Sequence, residues 1–176
     1  MGTTVNRVIS VLGQDRPGLV NEVSELVLAC GGNVEDSRMS ALRGTFAVLM
    51  LVTGSEESMA ALDDKLAPFA ESRGWSAAIR DTGGALEPAD MTRFQLEVTG
   101  IDYPGIVRLV ARALTAMETN IVSMETRLVP GPMSGAATFQ LVAVVDAPPA
   151  ARASSIEDVL SKLCEEENLD LKVSRQ

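Results

Sequence analysis

A chain of 176 residues, 46% hydrophobic and 22% charged, is an ordinary globular protein with room for one or two domains. Its net charge of −9 and its 3% aromatic content argue against the usual routes to nucleic acid, clustered cations and base-stacking rings, so no direct nucleic-acid partner is expected. No apolar run approaches the roughly 20 residues of a membrane span and no signal pattern opens the chain, so a cytoplasmic location without a membrane partner is expected.

The first predicted strand covers residues 5–12 and feeds Gly13-Gln14-Asp15-Arg16-Pro17-Gly18-Leu19-Val20. A helix follows, with Leu19, Val20, Val23, Leu26, Val27 and Cys30 at helical spacing. Pro17 suits its first position, and Gly31-Gly32 ends it. Asn33 to Leu42 reads as a polar edge strand, Arg43-Gly44 as a turn, and Thr45 to Val52 as a strand apolar on both faces. Ser55 is placed to cap a second helix with Met59, Leu62, Leu66 and Phe69 on its buried stripe. Pro68 should kink that helix or stop it early. Trp75 to Arg80 closes the unit as βαββαβ, and Thr82 to Asp90 has the composition of a linker.

The order then repeats. Gly100-Ile101-Asp102-Tyr103-Pro104-Gly105-Ile106-Val107 restates the first turn 87 positions on, after the strand Phe94-Gln95-Leu96-Glu97-Val98. The helix carries Ile106, Val107, Val110, Leu114 and Met117, and Asn120 opens the next strand where Asn33 did. Phe139 to Val145 matches Phe46 to Val52 at an offset of 93, so six extra residues sit in this hairpin, around Pro130 to Gly135. Ile156, Val159, Leu160, Leu163 and Cys164 mark the closing helix, and Leu169 to Val173 the last strand. The expected division is residues 1–82, a linker over 83–91, and residues 92–176.

Two tandem βαββαβ units predict an α+β fold of two ferredoxin-like sandwiches, antiparallel sheets with helices on one face. The strand after each first helix should lie at a sheet edge, and the open apolar faces should pack on something. In each repeated turn the first amides of the helix have no partner within it, and with the helix dipole they suit a carboxylate. Asp15 and Asp102 either receive an ammonium group beside those amides or only cap the turn. Gly18 and Gly105 either admit a ligand close to the backbone or serve turn geometry alone. Trp75 is expected in the core, and Tyr103, inside the turn, can line a pocket.

The chain has no histidine, and no P-loop, dinucleotide or nucleophile-elbow motif. Cys30 and Cys164 read as isolated, reduced core residues. A non-enzymatic protein with no catalytic residues, metal or cofactor is expected.

The Gly-x-Asp-x-Pro-Gly-Leu/Ile-Val turn between strand and helix, followed by Gly-Asn-Val or Thr-Asn-Ile, resembles the ACT domain. The tandem arrangement is similar to the glycine cleavage system transcriptional repressor family. That resemblance implies a sensor for an amino acid such as glycine, bound at domain interfaces. It places ligand contacts at Asp15, Gly18, Leu19, Asn33 and Val34, and at Asp102, Gly105, Ile106, Asn120 and Ile121. It also implies a homodimer that acts through a partner transcription regulator. The other reading is a ligand-free adaptor whose sheet edges dock a regulator. Because the second unit has Glu118-Thr119 where the first has Gly31-Gly32, the two sites need not be equivalent.

Overall fold

The computed structural model describes residues 4–82, 91–130, 137–149 and 153–175. It divides into two units, Met1–Glu87 and Pro88–Gln176. The first contains β1 (Thr4–Gln14), α1 (Leu19–Ala29), β2 (Asn33–Leu42), β3 (Thr45–Ser55), α2 (Glu56–Glu71) and β4 (Ser76–Asp81). The second contains β5 (Thr92–Ile101), α3 (Ile106–Ala116), β6 (Asn120–Pro130), β7 (Ala137–Ala147), α4 (Ala153–Glu166) and β8 (Leu169–Arg175). Strand orders are β2-β3-β1-β4 and β6-β7-β5-β8, all neighbours antiparallel. Each unit is therefore a ferredoxin-like sandwich, with the strand after its first helix at an edge. The expected linker, apart from Met91, and residues 131–135 of the hairpin insertion lie outside the described residues.

Alternation along the strands sorts the side chains. Ile9, Val11, Val48, Met50 and Val52 face α1 and α2, where they meet Leu19, Val23, Val27, Met59, Leu62 and Leu66. Phe94, Leu96, Val98, Leu141, Ala143 and Val145 do the same with Ile106, Val110, Leu114, Ile156 and Leu160. Cys30 and Cys164 are buried, unpaired thiols. Arg43 and Gly44, both at positive φ, make the tight β2–β3 turn. The register of β2 on β3 slips between Val34 and Asp36, and that of β6 on β7 slips between Ile121 and Ser123. Both edge strands thus carry a bulge at the same place in the repeat.

Several local readings need correction. Pro17 lies outside α1, which starts at Leu19; Gly18, in the left-handed region at φ 92°, is the capping residue. A positive φ is something glycine adopts without strain, so the turn is spent on reversing the chain before the helix begins. Pro68 does not stop α2, which continues to Glu71. The bond it forgoes would have ended on the carbonyl of exposed Asp64, which water can satisfy. Val107 and Val159 are 43% and 48% exposed and lie off the buried stripes of their helices.

The turn after β1 is braced by the far end of the unit. A Cβ built on Gly13 would stand 2.2 Å from Cδ1 of Trp75, so the indole lies directly on the glycine. The Arg16 guanidinium sits 4.9 Å from the same ring and donates to both carboxylate oxygens of Glu22, at 2.6 and 3.1 Å. Arg73 Nε donates to Glu22 at 2.6 Å while its guanidinium stacks 3.7 Å over Phe69. Hydrogen bonds from Arg16 and then Arg73 hold the Glu22 carboxyl down to about 2 from its ordinary 4.5.

Two outcomes follow for this brace. Gly13→Ala should cost about 1–3 kcal/mol through overpacking against Trp75. Urea unfolding followed by the fluorescence of Trp75, the chain's single tryptophan, measures it, and an unchanged midpoint refutes the contact. Because the folded pKa of Glu22 is depressed, its stabilisation is complete above 4.5 and is lost as pH falls through about 2. Glu22→Gln should therefore melt below the wild type at neutral pH, and the gap should close on acidification across that window. A gap independent of pH would mean that the charge plays no part.

Candidate functional site

In the first unit the β1–α1 turn borders a hollow of about 210 Å³ lined by Asp15, Arg16, Gly18, Leu19, Val20, Asn21 and Phe46. Asp15 is held in place through its backbone, its amide donating to the Gly44 carbonyl at 2.8 Å. Its exposed carboxylate has no hydrogen bond or ion pair among the described residues. The capping reading of Asp15 thus finds no bond to support it. The first α-helical bond runs from the Glu22 amide to the Gly18 carbonyl at 2.9 Å. The amides of Gly18, Val20 and Asn21 have no protein acceptor among the described residues. The lining residues bring bare donors and a free carboxylate to the hollow, and Leu19 with Phe46 supplies apolar wall. That set fits a small zwitterion: its carboxylate on the amides, its ammonium on Asp15.

The second unit differs. Asp102 is again exposed and tied by its backbone, here to the Ala137 carbonyl at 3.2 Å. The nearby hollow is only about 90 Å³ and is lined by Gly105, Arg108, Leu109 and Arg112, without Asp102 or Ile106. Gly105 caps α3 in the left-handed region at φ 115°, and Ile106 is a core residue. Arg108 and Arg112 stand where the first unit has Asn21 and Glu25, which hydrogen-bond to each other at 2.8 Å. Tyr103 replaces Arg16, Leu109 replaces Glu22, and Leu169 takes the place of Trp75 over Gly100. The ionic brace has become an apolar one. The Tyr103 hydroxyl is buried without a hydrogen-bond partner among the described residues. Burial, reinforced by the Glu167 carboxylate, pushes its pKa above the ordinary value.

Of the residues singled out in the sequence, Asp15, Gly18 and Leu19 come together at one hollow. Asn33 and Val34 do not join them. Asn33 pairs with Thr53 and Gln14 with Thr45, at opposite ends of β3, roughly 26 Å apart at strand rise. Asn120 and Ile121 are likewise at the far end of β7 from Asp102. Arg16, Asn21 and Phe46 escaped the sequence reading. Phe46 was traceable from the hairpin register, which sets it opposite Gly13. Among the described residues no cluster of His, Cys, Asp and Glu could hold a metal, and no helix is long and apolar enough to cross a membrane.

Residues 7–79 match the family model of the ACT domain. The glycine cleavage system transcriptional repressor of Escherichia coli K12 is 29% identical over 161 residues, covering 92% of this chain and 85% of that protein. A crystal structure of an unknown protein from Galdieria sulphuraria is 31% identical, with 99% of both chains covered and a TM-score of 0.81. A second crystal structure, provisionally assigned as a glycine cleavage system transcriptional repressor, shares the fold over 99% of both chains at 19% identity and a TM-score of 0.76. The repeated turn, the doubled βαββαβ order and these likenesses agree: the first unit matches the ACT domain, the second repeats its fold, and the chain as a whole resembles the glycine cleavage system transcriptional repressor.

Proposed function

We propose that this protein is a non-enzymatic regulator that binds an amino acid such as glycine at the β1–α1 turn of its first unit and passes its state to a partner transcription regulator. One observation carries the reading: the unpaired Asp15 carboxylate shares a hollow with the bare amides of Gly18, Val20 and Asn21. The hollow's volume, about 210 Å³, suits a ligand of a few heavy atoms and not a nucleotide. Asn33 and Val34, and in the second unit Asn120 and Ile121, lie too far along their sheets to serve the turn of their own unit. The turn at Asp102, Gly105 and Ile106, with its smaller hollow and two arginines, is a weaker amino-acid site or a scaffold. With a net charge of −9 the protein acts on a regulator and not on DNA, and it works as a homodimer in the cytoplasm.

The likeness to a transcriptional repressor supports the regulatory role, and the hollow supports the ligand class. A second reading, an adaptor that needs no ligand, is favoured by the apolar open face of the first sheet described below.

Thermal shift against the twenty amino acids separates the two. One or a few should raise the melting temperature, with about 2.7 kcal/mol of stabilisation at a concentration of one hundred times Kd. Asp15→Asn should abolish the shift while leaving the unliganded melting temperature within a degree or two. A flat panel with folded protein, together with capture of a regulator that ignores amino acids, selects the adaptor.

A further inference from the structure

The two sheets differ on the side away from their helices. In the first unit the register of β2, β3, β1 and β4 stacks three cross-strand rows on that side: Asp36-Leu51-Val8-Arg80, Arg38-Leu49-Ser10-Ala78 and Ser40-Ala47-Leu12-Ser76. The centre is apolar, with Leu12 and Leu49 48% and 47% exposed. A shallow hollow of about 190 Å³ opens there among Val8, Asp36, Arg38, Leu49 and Leu51. The corresponding face of the second unit is closed to apolar partners by charge. Arg93 donates to Asp146 at 2.7 and 2.8 Å, Lys172 lies 3.7 Å from Glu97, and Arg127 lies 3.4 Å from Glu125. Gln95, Thr99 and Gln140 fill the spaces between them. The expectation that both open faces are apolar therefore holds for one unit and fails for the other, because Gln140 and Asp146 flank Val142 and Val144 on β7.

We infer that the open face of the first unit is the homodimer contact, packed on the same face of a second copy about a twofold axis parallel to the strands. This deepens the homodimer reading above by naming its surface, and it rests on that reading. The argument is the order of residues within the rows. An axis along the strands keeps each row level and reverses its direction. The first row then meets its own reverse: Asp36 lies opposite the partner's Arg80, Leu51 opposite the partner's Val8, and each contact occurs twice. In the third row Ala47 meets the partner's Leu12, small against large. An axis across the strands would instead set Asp36 opposite the partner's Ser40 and Arg80 opposite the partner's Ser76, leaving the charges unmatched. Arg80 is exposed and has no ion pair within its own chain among the described residues. Among the described residues the Asp36 carboxylate bonds only to Arg38 and the Ser37 amide, and it is more than half exposed. The apolar centre supplies the driving force, and the charges at the rim fix the direction.

Sedimentation equilibrium of the full chain, without amino acid, tests this. The wild type should be a dimer. Leu49→Arg should raise its dissociation constant about 100-fold or more, since it puts a charge at the centre of the contact. Arg80→Glu should raise it about tenfold by facing Asp36 with a like charge, and Asp36→Arg combined with Arg80→Glu should return it to within about threefold of the wild type. All three positions lie outside the cores, so circular dichroism should stay near wild type, and the melting temperature should fall by no more than the lost association accounts for. A dimeric wild type indifferent to Leu49→Arg would overturn this surface and leave the homodimer standing. A monomeric wild type would overturn both. Weakening by the single charge change without rescue by the double would overturn the axis assigned here.

Discussion

Everything near the site depends on how closely a bulky side chain where the last strand of each unit begins can approach the first strand. At Gly13 and Gly100 a missing Cβ lets Trp75 and Leu169 lie on the backbone where the first strand ends. Any other residue would push the closing strand off and loosen the turn that follows. With the strand end pinned, the Asp15 amide reaches Gly44, and Gly18 can spend its positive φ on starting the helix abruptly. The amides of the first turn are left facing outward as a consequence.

The two units keep this geometry and divide the chemistry. Around the first turn charges do the bracing: Glu22 joins Arg16 to Arg73, and two aromatic rings flatten both guanidinium groups. That arrangement consumes the cation nearest the hollow and leaves Asp15 as its unbalanced charge. Around the second turn Tyr103, Leu109 and Leu169 brace by packing, so no side chain there neutralises Arg108 or Arg112 among the described residues. One fold therefore presents an acidic lip in one copy and a basic one in the other. The open sheet faces diverge in the same spirit, apolar in the first unit and charge-laced in the second.

Much of this was legible in the residues themselves. The repeat of Gly13 to Val20 at Gly100 to Val107 revealed the doubled fold, and the run Thr45 to Val52, apolar on both faces, marked a strand. What escaped was whatever depends on residues far apart in the chain. Pairing of Glu22 with both Arg16 and Arg73 spans most of a unit, and no spacing rule announces it. Separation of Asn33 from Asp15 follows from the length of α1 and the direction of β2. An apolar run read without register likewise hides that Gln140 and Asp146 share a face. The early stop expected at Pro68 did not occur for a local reason: a helix continues through the residue where the orphaned carbonyl reaches water.

The paired bulges at the outer strands have a separate consequence. β2 and β6 are bare rims, each with unmet amides and carbonyls, and a straight rim of that kind templates endless accretion of further chains. Inserting one residue, Glu35 in the first copy and Val122 in the second, breaks the even spacing that such accretion requires. A duplicated domain doubles its exposure to runaway filament growth, and here the safeguard was duplicated along with it.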